Sequence, residues 1–144
     1  MKYLFACCAT LGLLLVTNTA SAHTSPEDLA ARCVGAVNGI VERCQNAAAD
    51  ETQECLHKIR RLMADGQEQA ARRVAADCIE SATERTENCA KRVNRICDEC
   101  IDQLVNLGAP QLARRVNNVC EAAISELRTT LQREKNIIRS AFGG

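Results

Sequence analysis

The sequence predicts an all-α protein: an elongated, up-down-up antiparallel bundle of three helices stapled by disulfides between the helices. Three observations predict it. Apolar residues recur at steps of three and four over long stretches, as they do on one face of a helix. These stretches are interrupted near Gly66 and Gly108, where glycine suits the left-handed position just past a helix end. Cysteines recur at a helical spacing on both sides of Gly66.

The first predicted helix covers about residues 26–64. Ser25 suits the cap position, Pro26 suits the first helical position, and Glu27 and Asp28 stand where the helix dipole favours negative charge. No proline interrupts the residues that follow. The apolar positions of this helix are Leu29, Cys33, Val37, Ile40, Cys44, Ala48, Cys55, Ile59 and Leu62.

The second helix is expected over about 68–106 and the third over about 110–141, with Pro110 at the start of the third. An ungapped internal repeat supports these breaks, because residues 66–78 align with residues 108–120 and each segment runs from a glycine to a cysteine. The second helix has apolar residues at Val74, Cys78, Cys89, Val93, Ile96, Cys97, Cys100, Ile101 and Leu104. The third has them at Leu112, Val116, Val119, Cys120, Ile124, Leu127, Leu131, Ile137 and Ile138.

Six cysteines flank the first predicted turn in mirror order. They form two series with steps of eleven positions: Cys33, Cys44, Cys55 and Cys78, Cys89, Cys100. Eleven residues make almost three full turns, so each series lines one face of its helix at intervals of about 16 Å. Antiparallel helices place residues that are equidistant from the turn at the same height. Each cysteine before Gly66 therefore faces one after it.

The same symmetry holds at the second turn, where Cys97 and Cys120 are equidistant from the Gly108 break. Cys97 lies about 60° around the helix from Cys100, the angle that triangular packing of three helices requires. Among all pairings of eight cysteines, only one uses every thiol in mirrored positions about the two turns. The predicted disulfides are Cys33–Cys100, Cys44–Cys89, Cys55–Cys78 and Cys97–Cys120.

Antiparallel helices joined by mirrored cysteines are similar in arrangement to the small coiled-coil-helix-coiled-coil-helix proteins, whose cysteines have nine residues between them. In this chain ten residues intervene, three bridges span the first turn and a third helix follows. The sequence also begins with a secretory signal. The resemblance is therefore architectural, and it implies none of that family's partners or import roles.

Residues 1–22 have the organisation of a secretory signal peptide. Lys2 precedes a mostly apolar run, and the small residues Ala20, Ser21 and Ala22 form a cleavage-type triplet. We expect residues 23–144 to form a single domain with no transmembrane segment after signal cleavage. This domain retains eight cysteines, an even number that suits full pairing in an oxidising compartment. The prediction is a secreted or periplasmic protein.

The charge and aromatic content of residues 23–144 argue against several partner classes. These residues carry 17 basic and 18 acidic side chains, and Phe142 is their only aromatic residue. A near-neutral chain is not steered to nucleic acid or to an anionic membrane. Base stacking and cation–π cages need several aromatic faces, and a single phenylalanine cannot supply them. We expect no nucleic-acid partner.

Catalysis is not expected from this sequence. It contains no phosphate-binding glycine loop, no Gly-x-Ser-x-Gly and no His-Glu-x-x-His. A slim bundle with an alanine-rich interior also offers little volume for a catalytic pocket. We therefore predict a protein that is not an enzyme, with no cofactor and no metal.

Cys97 and Cys100 form a Cys-x-x-Cys motif, which in other settings marks a redox thiol pair or half of a zinc site. A thiol redox or metal-handling protein that uses these two residues is the alternative function. The mirrored spacing instead gives each cysteine a partner elsewhere, and the motif lies late in a helix, where the dipole does not stabilise a thiolate.

Basic residues collect at the Gly66 end of the predicted bundle. Arg60, Arg61, Arg72 and Arg73 flank the turn, and acidic neighbours offset them only partly. One hypothesis is an anion-binding surface. The other is that these are ordinary solvated side chains on helix surfaces. The sequence thus predicts an exported structural or protein-interaction module whose partner is an unidentified protein or anionic molecule.

Overall fold

The computed structural model describes residues 25–142 and confirms the three-helix bundle. The predicted signal peptide, residues 1–22, lies outside the described residues. The helices are α1 (Pro26–Ala64), α2 (Glu68–Asn106) and α3 (Pro110–Ser140). These bounds agree with the predicted ones, except that α3 ends one residue earlier. At about 1.5 Å per residue, α1 and α2 are each about 58 Å long.

The helix ends use the residues that the sequence indicates. The Ser25 hydroxyl accepts a hydrogen bond from the Asp28 amide at 3.1 Å, which caps α1. Gly66 and Gly108 both adopt a φ of 73°. After α1, the Gln67 amide donates to the Leu62 carbonyl at 2.8 Å, and an equivalent bond closes α2. This pair of identical Schellman turns reverses the chain twice.

Four disulfides join the helices. The four observed bridges are the four that the mirrored spacing predicts: Cys33–Cys100, Cys44–Cys89, Cys55–Cys78 and Cys97–Cys120. Their Cα–Cα distances are 6.2, 6.5, 6.3 and 6.2 Å. Three of the bridges join α1 to α2 at different heights, which requires the two helices to run antiparallel in a single register. The fourth bridge fixes α3 against α2 near the second turn.

Two apolar clusters of unequal size fill the interior. The larger cluster lies towards the Gly108 turn, contains Val37, Val93, Leu104 and Val116, and includes three of the bridges. The smaller cluster lies towards the Gly66 turn. Its buried members are Cys55, Ile59, Ala71, Ala75 and Ile138. Most of the covalent and apolar stabilisation is therefore in the Gly108 half.

Two glycine substitutions should have opposite effects on stability. Gly66→Ala should lower the free energy of unfolding by about 1 kcal/mol, because a side chain disfavours positive φ even though its Cβ meets no atom within 4 Å. Gly35→Ala, at an exposed position within α1, should raise that free energy by about 0.5–1 kcal/mol. Urea unfolding of both variants measures the difference. An equal change in the free energy of unfolding in the two variants would be inconsistent with the positive φ of Gly66.

Candidate functional site

A layer of polar side chains separates the two apolar clusters, and each helix contributes to it. Thr52 of α1 donates a hydrogen bond from Oγ1 to Oε1 of Glu134 in α3 at 3.1 Å. Arg85 of α2 donates to the same Glu134 oxygen through Nη2, and to Glu51 Oε2 through Nη1. Thr52 is 8% exposed and Glu134 is 5% exposed. These four residues are called the polar layer below.

The polar layer is a partly desolvated charge cluster. The Arg85 side chain is 13% exposed and bridges the buried Glu134 to the half-exposed Glu51. Within residues 25–142, Glu134 Oε2 is buried and has no hydrogen-bond partner. A buried ion pair offsets its desolvation only through mutual attraction and hydrogen bonds, so the loss of one partner is costly. The layer therefore depends on both charges.

The sequence periodicity does not predict the polar layer. It marks Ala48 and Cys55 as successive inward positions and passes over Thr52, although Thr52 is also buried. A comparable gap lies between Leu131 and Ile137, where Glu134 is buried. When the chain is reversed at both turns, positions 52 and 134 come to about the same height, so these two breaks in the apolar series were the available signal.

A groove between α1 and α2 lies beside the polar layer and has a volume of about 370 Å³. The Cys55–Cys78 bridge lines it together with Arg85 and Glu134. Lys58 and Asp77 also line it. The groove thus combines a disulfide, apolar surface and charged groups of both signs.

A second groove, of about 450 Å³, lies between α1 and α3. Leu56 and Ile137 provide apolar lining, and Arg133 and Glu134 provide charge. Ile137 belongs to the predicted apolar set of the third helix but is 39% exposed, whereas Ile138 is fully buried. Two consecutive helical residues are about 100° apart, and here Ile138 faces the core while Ile137 lines the groove.

The Lys58 ammonium at the groove between α1 and α2 is paired with Glu54. The two charged atoms are 2.6 Å apart, and both side chains are more than half exposed. The hydrogen bond from Lys58, followed by its positive charge, holds the pKa of Glu54 below its usual value. This pair is an exposed counterpart to the buried pair of Arg85 and Glu134.

The four arginines proposed from the sequence as an anion-binding surface all lie at the Gly66 end and are exposed. Arg60 and Arg61 are in the last turns of α1, and Arg72 and Arg73 follow the start of α2. Arg72 also has structural contacts. Its Nη2 atom is 2.6 Å from Glu68 Oε1, and its guanidinium lies 5.2 Å from the centroid of the Phe142 ring.

The structure does not place Cys97 and Cys100 together as a thiol pair. Cys97 is bonded to Cys120 in α3, and Cys100 is bonded to Cys33 in α1. In residues 25–142, no group of three or more His, Cys, Asp or Glu side chains is arranged to hold a metal ion. No helix in the same range has the length and apolar character needed to cross a membrane.

Comparisons of the chain with protein-family models, with curated proteins and with solved structures find no match. The functional argument therefore depends on the geometry described above.

Proposed function

We propose that the chain is an exported, non-enzymatic interaction module, a disulfide-stapled helical bundle that binds its partner through an exposed helical surface. One observation carries the proposal: four bridges connect the three helices at different heights along a slender bundle. Such bridges persist in oxidising compartments and stabilise small domains whose cores are insufficient. They also hold the three helices in fixed relative positions, so the residues on an exposed face keep their spacing.

The state of the cysteines supports a non-catalytic role. All eight cysteines in residues 25–142 are disulfide-bonded, so none of them is a free thiol nucleophile. The buried Glu134 carboxylate and the largely buried Arg85 guanidinium bind each other. Titration of the native exported protein with a thiol reagent tests this interpretation. Zero reactive thiols is the expected result, and two reactive thiols at Cys97 and Cys100 would instead support the redox or metal-handling alternative.

The surface proposed to bind the partner is the cationic Gly66 end, and the partner class is a polyanion or an acidic protein. Arg60, Arg61 and Arg73 are exposed there. Their guanidinium groups can donate paired hydrogen bonds to carboxylate, sulfate or phosphate oxygens. Arg72 is left out of this set because Glu68 and Phe142 already contact it.

Charge reversal tests this surface. We expect the triple variant Arg60→Glu, Arg61→Glu, Arg73→Glu to bind heparin, used as a model polyanion, at least about tenfold more weakly than the wild type. The control reverses three exposed cations of α2 that lie far from the Gly66 turn: Lys91, Arg92 and Arg95. Both variants change the net charge equally. Equal loss of binding in the two variants would reject a localised surface.

A further inference from the structure

We propose that the Cys55–Cys78 bridge is a thiol–disulfide exchange site, which an uncharged dithiol opens while the other three bridges remain closed. This inference does not depend on the proposed anion binding. It assigns to Cys55 and Cys78 the redox chemistry that the sequence associates with Cys97 and Cys100.

The first step of the argument is access. Cys78 is partly exposed, whereas the other seven bridged cysteines are 3–8% exposed. The groove of about 370 Å³ between α1 and α2 is lined by both sulfur-bearing residues of this bridge. Thiol–disulfide exchange requires a thiolate to reach a sulfur atom, so the bridge with the more exposed cysteine is attacked first. We therefore infer that a reductant attacks this bridge at Cys78.

The second step is the chemistry of the exchange. A thiolate of the dithiol attacks Cys78 Sγ, forming a mixed disulfide, and the Cys55–Cys78 bond breaks with its electron pair on Cys55 Sγ. The second thiol of the dithiol then attacks the mixed disulfide and releases Cys78. The dithiol is oxidised to a cyclic disulfide by loss of two electrons and two protons, and those protons end on Cys55 and Cys78.

The charges around the groove favour this class of reductant. Lys58 and Glu54 both line the groove and pair with each other at 2.6 Å, so their charges largely cancel. The other charged lining groups are the carboxylates of Glu51, Asp77 and Glu134 and the guanidinium of Arg85, and their net negative charge disfavours thiols that carry additional negative charge. A dithiol with no other charged group avoids this repulsion.

The third step is the low local stability around this bridge. The smaller apolar cluster, towards the Gly66 turn, has five buried residues and one bridge. The larger cluster, towards the Gly108 turn, has sixteen buried residues and three bridges. In addition, α3 has no bridge beyond Cys120, so its remaining residues are held without covalent links. Segments with few buried apolar contacts open at lower free energy than the core does. The Gly66 end can therefore open while the rest of the bundle stays folded.

The test is graded reduction of the native, oxidised protein with dithiothreitol. Samples are quenched in acid at intervals, alkylated and digested, and the alkylated fraction of each cysteine is measured by mass spectrometry. We expect Cys55 and Cys78 to be alkylated at least about tenfold faster than any other pair. The matched internal control is Cys97–Cys120, which has the same sequence separation of 23 residues.

Two outcomes overturn the proposal: reduction of another bridge first, or loss of all four bridges at one rate. A second measurement addresses the independence of the Gly66 end. The double variant Cys55→Ser, Cys78→Ser should retain the helical circular dichroism of the wild type at 25 °C and keep its three remaining bridges. Loss of that signal in the variant would contradict an independently opening end.

Discussion

Complete reduction of the four disulfides should lower the melting temperature of the domain by roughly 20–40 °C. Each bridge typically contributes about 2–4 kcal/mol, mainly by restricting the unfolded chain. Bridges in a nested hairpin constrain overlapping loops, so their contributions add only partly, and we expect a total of about 5–10 kcal/mol. For a domain of this size, 1 kcal/mol corresponds to about 4 °C.

Far-UV circular dichroism, recorded during heating with and without a phosphine reductant, measures this effect. The control is the reduced and alkylated protein in the absence of reductant, which separates the loss of bridges from any effect of the reagent. Superimposable melting curves for the oxidised and reduced proteins would mean that the bundle's stability comes from its apolar interior alone.

Loss of the Glu134 carboxylate is expected to have the second largest effect. Glu134→Leu should lower the free energy of unfolding by about 3 kcal/mol, because Arg85 then remains largely buried with only the half-exposed Glu51 as its partner. The hydroxyl of Thr52 also loses its acceptor. Urea denaturation followed by circular dichroism gives the difference.

Two comparisons establish the cause of that loss. The double variant Arg85→Met, Glu134→Leu removes both charges and should restore stability to about the wild-type value or above it, because an apolar pair needs no compensation for desolvation. The exposed pair supplies the matched control: Glu54→Ala, which removes the partner of Lys58, should leave the urea midpoint almost unchanged. A double variant less stable than Glu134→Leu would contradict the expected charge compensation.

The cysteine positions made the architecture predictable. A disulfide brings two Cα atoms to within about 7 Å of each other. The two cysteine series mirrored about Gly66 therefore determine the relative direction of the first two helices, their register and the partner of each cysteine. The third helix followed from Cys97 and Cys120 by the same symmetry. Gly66 and Gly108 then located the turns. The turn requires a positive φ, and glycine adopts a positive φ more readily than other residues do.

The polar layer could not be predicted in the same way. Helical periodicity shows which face of a helix is buried, but it does not show that Thr52, Arg85 and Glu134 meet across three helices at one height. Their burial depends on mutual contacts between residues far apart in the sequence. The contact between Arg72 and Phe142 could not be predicted from the sequence either, because it depends on where Phe142 lies after the end of α3.

Disulfide mapping of the native oxidised protein tests the central claim most directly. No Lys or Arg separates Cys44 from Cys55 or Cys97 from Cys100, so digestion requires trypsin together with a glutamate-specific protease, which can cut at Glu51 and Glu99. Mass spectrometry should then find Cys33 joined to Cys100, Cys44 to Cys89, Cys55 to Cys78 and Cys97 to Cys120. A bridge between Cys97 and Cys100, or any other pairing, would contradict the doubly reversed helical bundle.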